Sequence, residues 1–477
     1  MARPVALQEA FCWPLGRFVQ RCPADNEDVP ENPYDEVPYP TLPDARTHPD
    51  RLAAVAVLFG MNPPPVARCS VLELGCGDGG NLIPMAYALP ECRFAGIDLA
   101  AGAVEQGRRA IENLKLANIK LLAADVRDLG TPFGEFDYII AHGLYSWIPA
   151  DARDALLEVC GTSLTAEGVA FVSYNAWPGR HIRQMLREMM LYRARNVGEP
   201  ALRIAEARAF LKTLLESGMT PPAWREMLER EVGLLLESPA GAFWHDDLAL
   251  INEPVYFHEF AAHAAAHGLA YLGDADTHLM FDPRGVLDGL AGDWLEREQT
   301  LDFLICRPFR MSLLCRDSIT PARRAAAETM DRLLFSAPVG GLHGARAARG
   351  HRSLQQVTAA LADTYPLPAA FDDLLPYAES REELREILFA LVTTGFASFH
   401  VHDFPCEESV TGFPRASAVA RYQAKSSPLV TNLCHTLVKL DDDAREFIQK
   451  LDGAHRREEC GDLQLLEVLA RMALLDG

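Results

Sequence analysis

From Cys69 to Tyr174, apolar runs of β character alternate with stretches of helical spacing. The runs are 70–74 (SVLEL), 93–97 (RFAGI), 119–123 (IKLLA), 136–141 (FDYIIA) and 169–174 (VAFVSY). Helical patterns occupy 80–89, 101–116 and 150–164 between them. Short apolar strands separated by helices predict a parallel, doubly wound sheet with helices on its faces. Upstream, prolines at 4, 14, 23, 30, 33, 38, 40 and 43 break any helix and predict an extended N-terminal arm over 1–45. A helix is expected from Asp50 to Gly60, stopped by Pro63, Pro64 and Pro65.

Beyond Pro178 the pattern changes. Residues 180–335 read as mostly helical, with one strand-like patch near Leu269–Leu272. Gly340, Gly341 and Gly350 mark a linker over 338–352. Residues 353–477 combine helices with an extended run, Phe396 to His402, and predict a small α+β, winged-helix-like module. The expected organisation is therefore an arm (1–45), an α/β core (46–178), a helical middle unit (179–337), a linker (338–352) and a C-terminal module (353–477).

Composition narrows the function. A chain of 477 residues is long enough for two or three domains, and 49% hydrophobic with 23% charged residues suits a globular protein. Lys+Arg number 45 against 66 Asp+Glu, a net charge of −21, which disfavours general binding to nucleic-acid phosphates. Eleven cysteines are scattered without a CxxC pair, so neither a disulfide framework nor a cysteine zinc site is expected, and a reducing cytoplasm is the expected compartment. The longest apolar run, Leu52 to Met61, is about half a spanning helix, and the N-terminus lacks a clean signal-peptide core.

The chemistry is concentrated after the first strand, in Val71-Leu72-Glu73-Leu74-Gly75-Cys76-Gly77-Asp78-Gly79-Gly80. Glycines let the backbone turn sharply and approach a ligand. The spacing is GxGxGG rather than the GxGxxG of dinucleotide sites, and Glu73 precedes it. An acid there repels a pyrophosphate and suits a ligand carrying an amine or sulfonium, which favours adenosylmethionine. Asp98 ends the second strand, 25 residues after Glu73, where it can accept from ribose hydroxyls. Asp125 ends the third strand, where it can accept from the adenine amino group while Val126 packs on the ring. Ligands of open α/β sheets bind at the carboxyl ends of the strands, where these three acids converge. Asp137, which opens the fourth strand, reads as a turn residue.

This run resembles the class I, S-adenosylmethionine-dependent methyltransferases over about residues 50–175. Asn32-Pro33-Tyr34-Asp35-Glu36-Val37-Pro38-Tyr39-Pro40, Thr47-His48-Pro49-Asp50-Arg51-Leu52 and Ala141-His142-Gly143-Leu144-Tyr145-Ser146-Trp147 look like the bacterial protein-lysine methyltransferases known from rickettsiae, which modify outer-membrane protein lysines. Phe257-His258-Glu259-Phe260 through Tyr271-Leu272-Gly273, and Glu298-Gln299-Thr300-Leu301-Asp302-Phe303-Leu304, look like that family's methyltransferase regulatory domain. The resemblance implies a Rossmann-like core followed by a helical regulatory domain and a winged-helix-like end. It implies a cofactor site formed by Glu73, Gly75, Cys76, Gly77, Asn81, Asp98, Leu99, Asp125, Val126 and His142, with Tyr34, Tyr39 and His48 of the arm folding over it.

A lysine substrate must lose a proton from an ammonium of pKa about 10.4 before it attacks. An apolar, aromatic pocket lowers that value, and a nearby Tyr or His can take the proton. His142 and Tyr145, with Asn175 at the end of the fifth strand, are the candidate catalytic residues, and Trp147, Tyr174 and Trp177 could line the slot. The stretch YNAWPG lacks the Asn-Pro-Pro-Tyr pattern of amide and base N-methylation, which disfavours a nucleobase or Gln substrate. His258 and His263 are one residue too far apart for HExxH. His263 and His267 share a helix face but find no third ligand in the sequence, so no metal is expected. The reading is an S-adenosylmethionine-dependent methyltransferase acting on protein lysine, with no nucleic-acid partner, no stable membrane insertion, and room for a homodimer. A small-molecule N- or O-methyltransferase and a non-catalytic cofactor-binding interaction protein remain the alternatives.

Overall fold

The computed structural model describes Val37, Tyr39 and residues 41–476, apart from 131, 283–284, 288, 290–291, 339–351, 407–409 and 411. Tyr34, most of the acidic arm and nearly all of the expected linker lie outside the described residues. The five expected strands form as β1 (Ser70–Leu74), β2 (Arg93–Asp98), β3 (Ile119–Ala123), β4 (Phe136–Ala141) and β5 (Leu164–Asn175). They pair in parallel in the order β3-β2-β1-β4-β5. Helices follow at Leu82–Ala88, Ala101–Leu114 and Ala150–Ser163. β1 is buried along its whole length, as a strand covered on both faces must be. Asp137 accepts from both the backbone N–H and the hydroxyl of Ser70, which fits its reading as a structural residue.

The middle region is mostly helical, and its expected strand-like patch forms β6 (Leu269–Asp274). A strand that was not expected, β7 (Phe309–Arg316), carries β6 into the same sheet, in the order β5-β7-β6, with both pairings antiparallel. The sheet is thus seven-stranded and mixed. β7 escaped notice because Arg310 interrupts its apolar pattern, yet that arginine is fully buried. It is accommodated by ion pairing, a tertiary circumstance that no local pattern reports. Three middle helices, His181–Ala194, Pro200–Glu216 and Pro222–Glu237, enclose a core of their own with Phe243 and Trp244.

Both ends of the chain pack around this sheet. The helix Pro49–Leu58 is almost wholly buried. Its Asp50 accepts from the Val401 and His402 backbone N–H groups at 2.7 and 3.0 Å and pairs with His400 Nδ1 at 2.7 Å. β8 (Leu334–Ser336) precedes the expected linker and forms a small sheet with β9 (Ala369–Ala370) and β10 (Ser398–His400), which follow it. Residues from Val357 to Phe399 accordingly share the main core, and a separate core appears only between Ala416 and Leu475. That last unit contains the hairpin β11 (Leu429–Thr431) and β12 (Leu437–Lys439).

Candidate cofactor and methyl-transfer site

At the carboxyl end of β1 the chain turns through Gly75, Gly77 and Gly79, with φ of 79°, 55° and 77°, a region that glycine enters without strain. Gly75 and Cys76 N–H groups donate to the Ile97 carbonyl at 2.8 and 3.1 Å, fastening the loop to the end of β2. Asp98 completes the joint: one carboxylate oxygen accepts from Gly77 N–H at 2.7 Å and the other from Ala100 N–H at 2.8 Å. The next side chain, Leu99, is 61% exposed, an apolar surface at the rim of the loop. Cys76 instead turns inward and is buried.

Arm residues lie over this loop. A Cβ on Gly77 would meet the Thr41 methyl at 2.5 Å, and one on Gly80 would meet the Thr41 carbonyl oxygen at 2.5 Å. Thr41 also bonds through its hydroxyl to Asp78. Tyr39 packs edge-on against His245, with ring centroids 5.8 Å apart, and the His245 ring meets the Val37 carbonyl. The π-helical turn Phe243–Asp247 that carries His245 is thus part of the frame around the arm, which local sequence pattern did not indicate.

Glu73 is the most informative residue. It is 4% exposed, its Oε1 accepts from Asn81 Nδ2 at 2.9 Å, and its Oε2 is buried with no hydrogen-bond partner among the described residues. Burial raises its pKa to about 8; the Asn81 amide opposes this, while Asp98 and Asp78 add to it. A buried acceptor without a donor is costly unless a ligand supplies one. An ammonium at this point would satisfy Oε2 and return the group to its charged form. The donor set therefore fits the amino-acid end of S-adenosylmethionine, with Asp98 beside it for ribose hydroxyls.

Asn81 gathers distant parts of the chain. Its Nδ2 donates to Glu73 and to the Thr47 hydroxyl, while its Oδ1 accepts from Asp44 N–H at 3.1 Å and from His435 Nε2 at 2.9 Å. His435 is 3% exposed, and burial holds its pKa well below the usual value, so the ring is neutral. The C-terminal unit thus reaches the residue that orients Glu73. His48, expected beside the cofactor, is also buried, against His435 and Phe404. Its Nδ1 caps the helix Pro49–Leu58 by accepting from Asp50 N–H.

The other expected residues divide. Asp125 is engaged by Arg127, whose guanidinium and backbone N–H bond both carboxylate oxygens at 2.6–3.0 Å; Val126 is half-buried beside it. His142 is half-buried, with Nδ1 at 3.0 Å from Ser173 Oγ and Nε2 at 3.6 Å from the Asp44 carboxylate. Burial lowers its pKa, against the pull of Asp44, so the imidazole is neutral near pH 7. Asp44, which the sequence did not single out, keeps a pKa below the usual carboxylate value although burial opposes this, because Arg46 and His142 face it.

Tyr145 and Tyr174 are buried in an aromatic seam with Phe260, the latter pair stacked at 4.2 Å. The Tyr145 hydroxyl meets His263 Nδ1 at 2.8 Å, and burial raises its pKa to about 12. Asn175 is 1% exposed; its N–H donates to Ser146 Oγ and its amide to Asn252 Oδ1. Tyr145 and Tyr174 thereby join the core to the middle region through Phe260 and His263. Trp177 is half-buried and stacks on His181 at 4.1 Å.

A glycine loop after β1, an acid at its foot with an unmet oxygen, and a second acid ending β2 define a class I, S-adenosylmethionine-dependent methyltransferase. Known families agree. Residues 71–168 match a methyltransferase domain, 241–316 a predicted methyltransferase regulatory domain, and 413–473 the PKMT C-terminal winged helix domain. An uncharacterized protein of Rickettsia prowazekii is 36% identical over 230 residues, 48% of this chain and 91% of that protein. Another from the same organism is 40% identical over 296 residues, 60% of this chain, which spans only 53% of that relative. The structure of PKMT2 from Rickettsia typhi superposes with a TM-score of 0.80 at 25% identity, covering 92% of this chain and 100% of that one. The chain belongs to this PKMT-type methyltransferase family.

Proposed function

We propose that this protein transfers a methyl group from S-adenosylmethionine to lysine side chains of a protein substrate. The unmet, buried Glu73 oxygen beneath the glycine loop is the observation that carries the cofactor reading. A structure of Rickettsia typhi PKMT2 in complex with AdoHcy, of the same fold, supports it. The lysine reading rests on the PKMT winged helix domain and on the end-to-end overlay with PKMT2. Outer-membrane proteins are the substrate class to assay first, following the family resemblance.

The cofactor, when bound, supplies an electrophilic methyl on a sulfonium. Alignment and exclusion of water are then the main demands on the protein. Glu73 receives the ammonium, Asp98 the ribose hydroxyls, and Thr41 holds the arm across the loop while Tyr39 packs on His245. Neutral His142 accepts the proton that the substrate ammonium sheds, and Asp44 stabilises the resulting imidazolium. Incubation with methyl-labelled cofactor and lysate should place label in protein, on lysine. Label confined to small molecules would overturn the lysine assignment. Asp98→Ala should weaken cofactor binding by about 1–3 kcal/mol, measured by calorimetry; unchanged affinity would mean that Asp98 does not face the cofactor.

A further inference from the structure

Away from the cofactor loop, a third ligand joins the two histidines that the sequence left as an incomplete pair. His263 lies on the helix Phe257–Ala266, and His267 is the residue capping its end. Asp154 projects from the helix Ala150–Ser163 of the core. Its Oδ1 lies 3.3 Å from His263 Nε2 and 3.0 Å from His267 Nε2, and the three donor atoms lie within 4.8 Å of one another. A tetrahedral ion with ligands at about 2.0–2.1 Å sets its donor atoms roughly 3.3 Å apart, so the two carboxylate–imidazole distances are those of coordination edges.

The surroundings support the same use. The i and i+4 histidines share one face of their segment, with ring centroids 5.4 Å apart. The other nitrogen of His263 is already held by the Tyr145 hydroxyl at 2.8 Å, the outer hydrogen bond that orients a metal-binding imidazole. Close packing fixes the approach of the two helices: a Cβ on Gly161 would fall 2.1 Å from the His267 carbonyl oxygen. Asp154 is 64% exposed on its side chain, which leaves a fourth position open to water.

We propose that Asp154, His263 and His267 form a binding site for a divalent transition metal of the zinc class, clipping the middle region to the methyltransferase core. Two imidazoles and a carboxylate suit zinc among the common cellular metals. With the metal on Nε2, His263 keeps its proton on Nδ1 and donates it to the Tyr145 oxygen. The ion would thereby set the hydrogen-bonding role of a residue in the segment that also carries His142.

The full-length protein, stripped with a chelator and kept reduced, should bind one equivalent of zinc chloride in calorimetry. His267→Gln and Asp154→Asn, on separate helices, should each weaken that binding by roughly tenfold or more. Zinc should raise the thermal midpoint of the parent and leave that of either variant unchanged. Cobalt in its place should give a tetrahedral visible spectrum without thiolate charge transfer, separating the site from the free cysteines. Circular dichroism in chelator checks that the variants fold. Absence of a zinc site in the parent, or an affinity in both variants equal to the parent's, would overturn the proposal.

Discussion

One sheet carries two concentrations of buried charge, and they are built on opposite principles. Near β7, the Arg310 guanidinium makes a two-pronged pair with Asp302, both bonds 2.8 Å, and also reaches Glu298 and the Tyr271 hydroxyl. Arg307 lies in ion-pair range of Asp274 and Asp302. At the carboxyl end of β1, Glu73 has one amide partner and one oxygen with none. The first cluster is matched within the protein and serves the fold. The second is left incomplete, the opening that the proposed cofactor ammonium would fill. Burial is common to both; what differs is that the carboxylates of Asp302 and Glu298 meet a guanidinium while that of Glu73 meets no cation among the described residues.

The largest effect should come from breaking the matched cluster. Arg310→Ala leaves the buried Glu298 without its cation and Asp302 with Arg307 alone, and should cost about 3–5 kcal/mol, because removing one partner leaves buried charge under-compensated. Denaturant unfolding would measure it; a loss below about 1 kcal/mol would mean that the pairing is energetically idle and the contrast misplaced.

Glu73→Gln should invert that outcome. Cofactor affinity should fall by about 1–3 kcal/mol as a charge-assisted contact is lost, while stability of the free protein holds or rises. The sign follows from the raised pKa. In the unfolded chain Glu73 ionises near 4.5, in the folded one near 8, so the unfolded state sheds its proton first. This group's contribution to stability is full below 4.5, falls as pH rises, and is lost by about 8. Thermal unfolding of the free variant at pH 8.5 should therefore match or exceed the parent, and a clear drop would show that Glu73 is structural. Cofactor binding at pH 7 should also release a proton from the parent and not from the variant.

The smallest effect tests the link between ends of the chain. His435→Ala removes a donor from Asn81 without touching the glycine loop, and should weaken cofactor binding by about 0.5–1.5 kcal/mol. Equal affinity in parent and variant would confine the C-terminal unit to a packing role.

Legibility from sequence followed the range of the interactions. β1 to β5, Glu73, the glycines and Asp98 were readable because a strand, its turn and the acid ending the next strand lie close along the chain. Asp125 was equally readable in position, but its engagement by Arg127 was not, since local spacing does not say which donor a carboxylate takes. β7 was hidden by Arg310, whose burial depends on acids contributed by Asp274, Glu298 and Asp302. Asp44 and His435 gave no signal at all: with Thr47 they meet at Asn81, and His435 is 354 positions away from it.

The amino-acid sequence by itself thus determined the class of chemistry, because adjacent backbone and side-chain types specify a strand, a glycine turn and a cation-seeking acid. Tertiary structure alone decided which acids are free to meet a ligand, which tyrosines are sealed in a seam, and that Asp154 stands beside His263 and His267. The physical reason is that hydrogen bonding and desolvation depend on whatever neighbour the fold brings within about 3 Å, and that neighbour is often hundreds of residues distant.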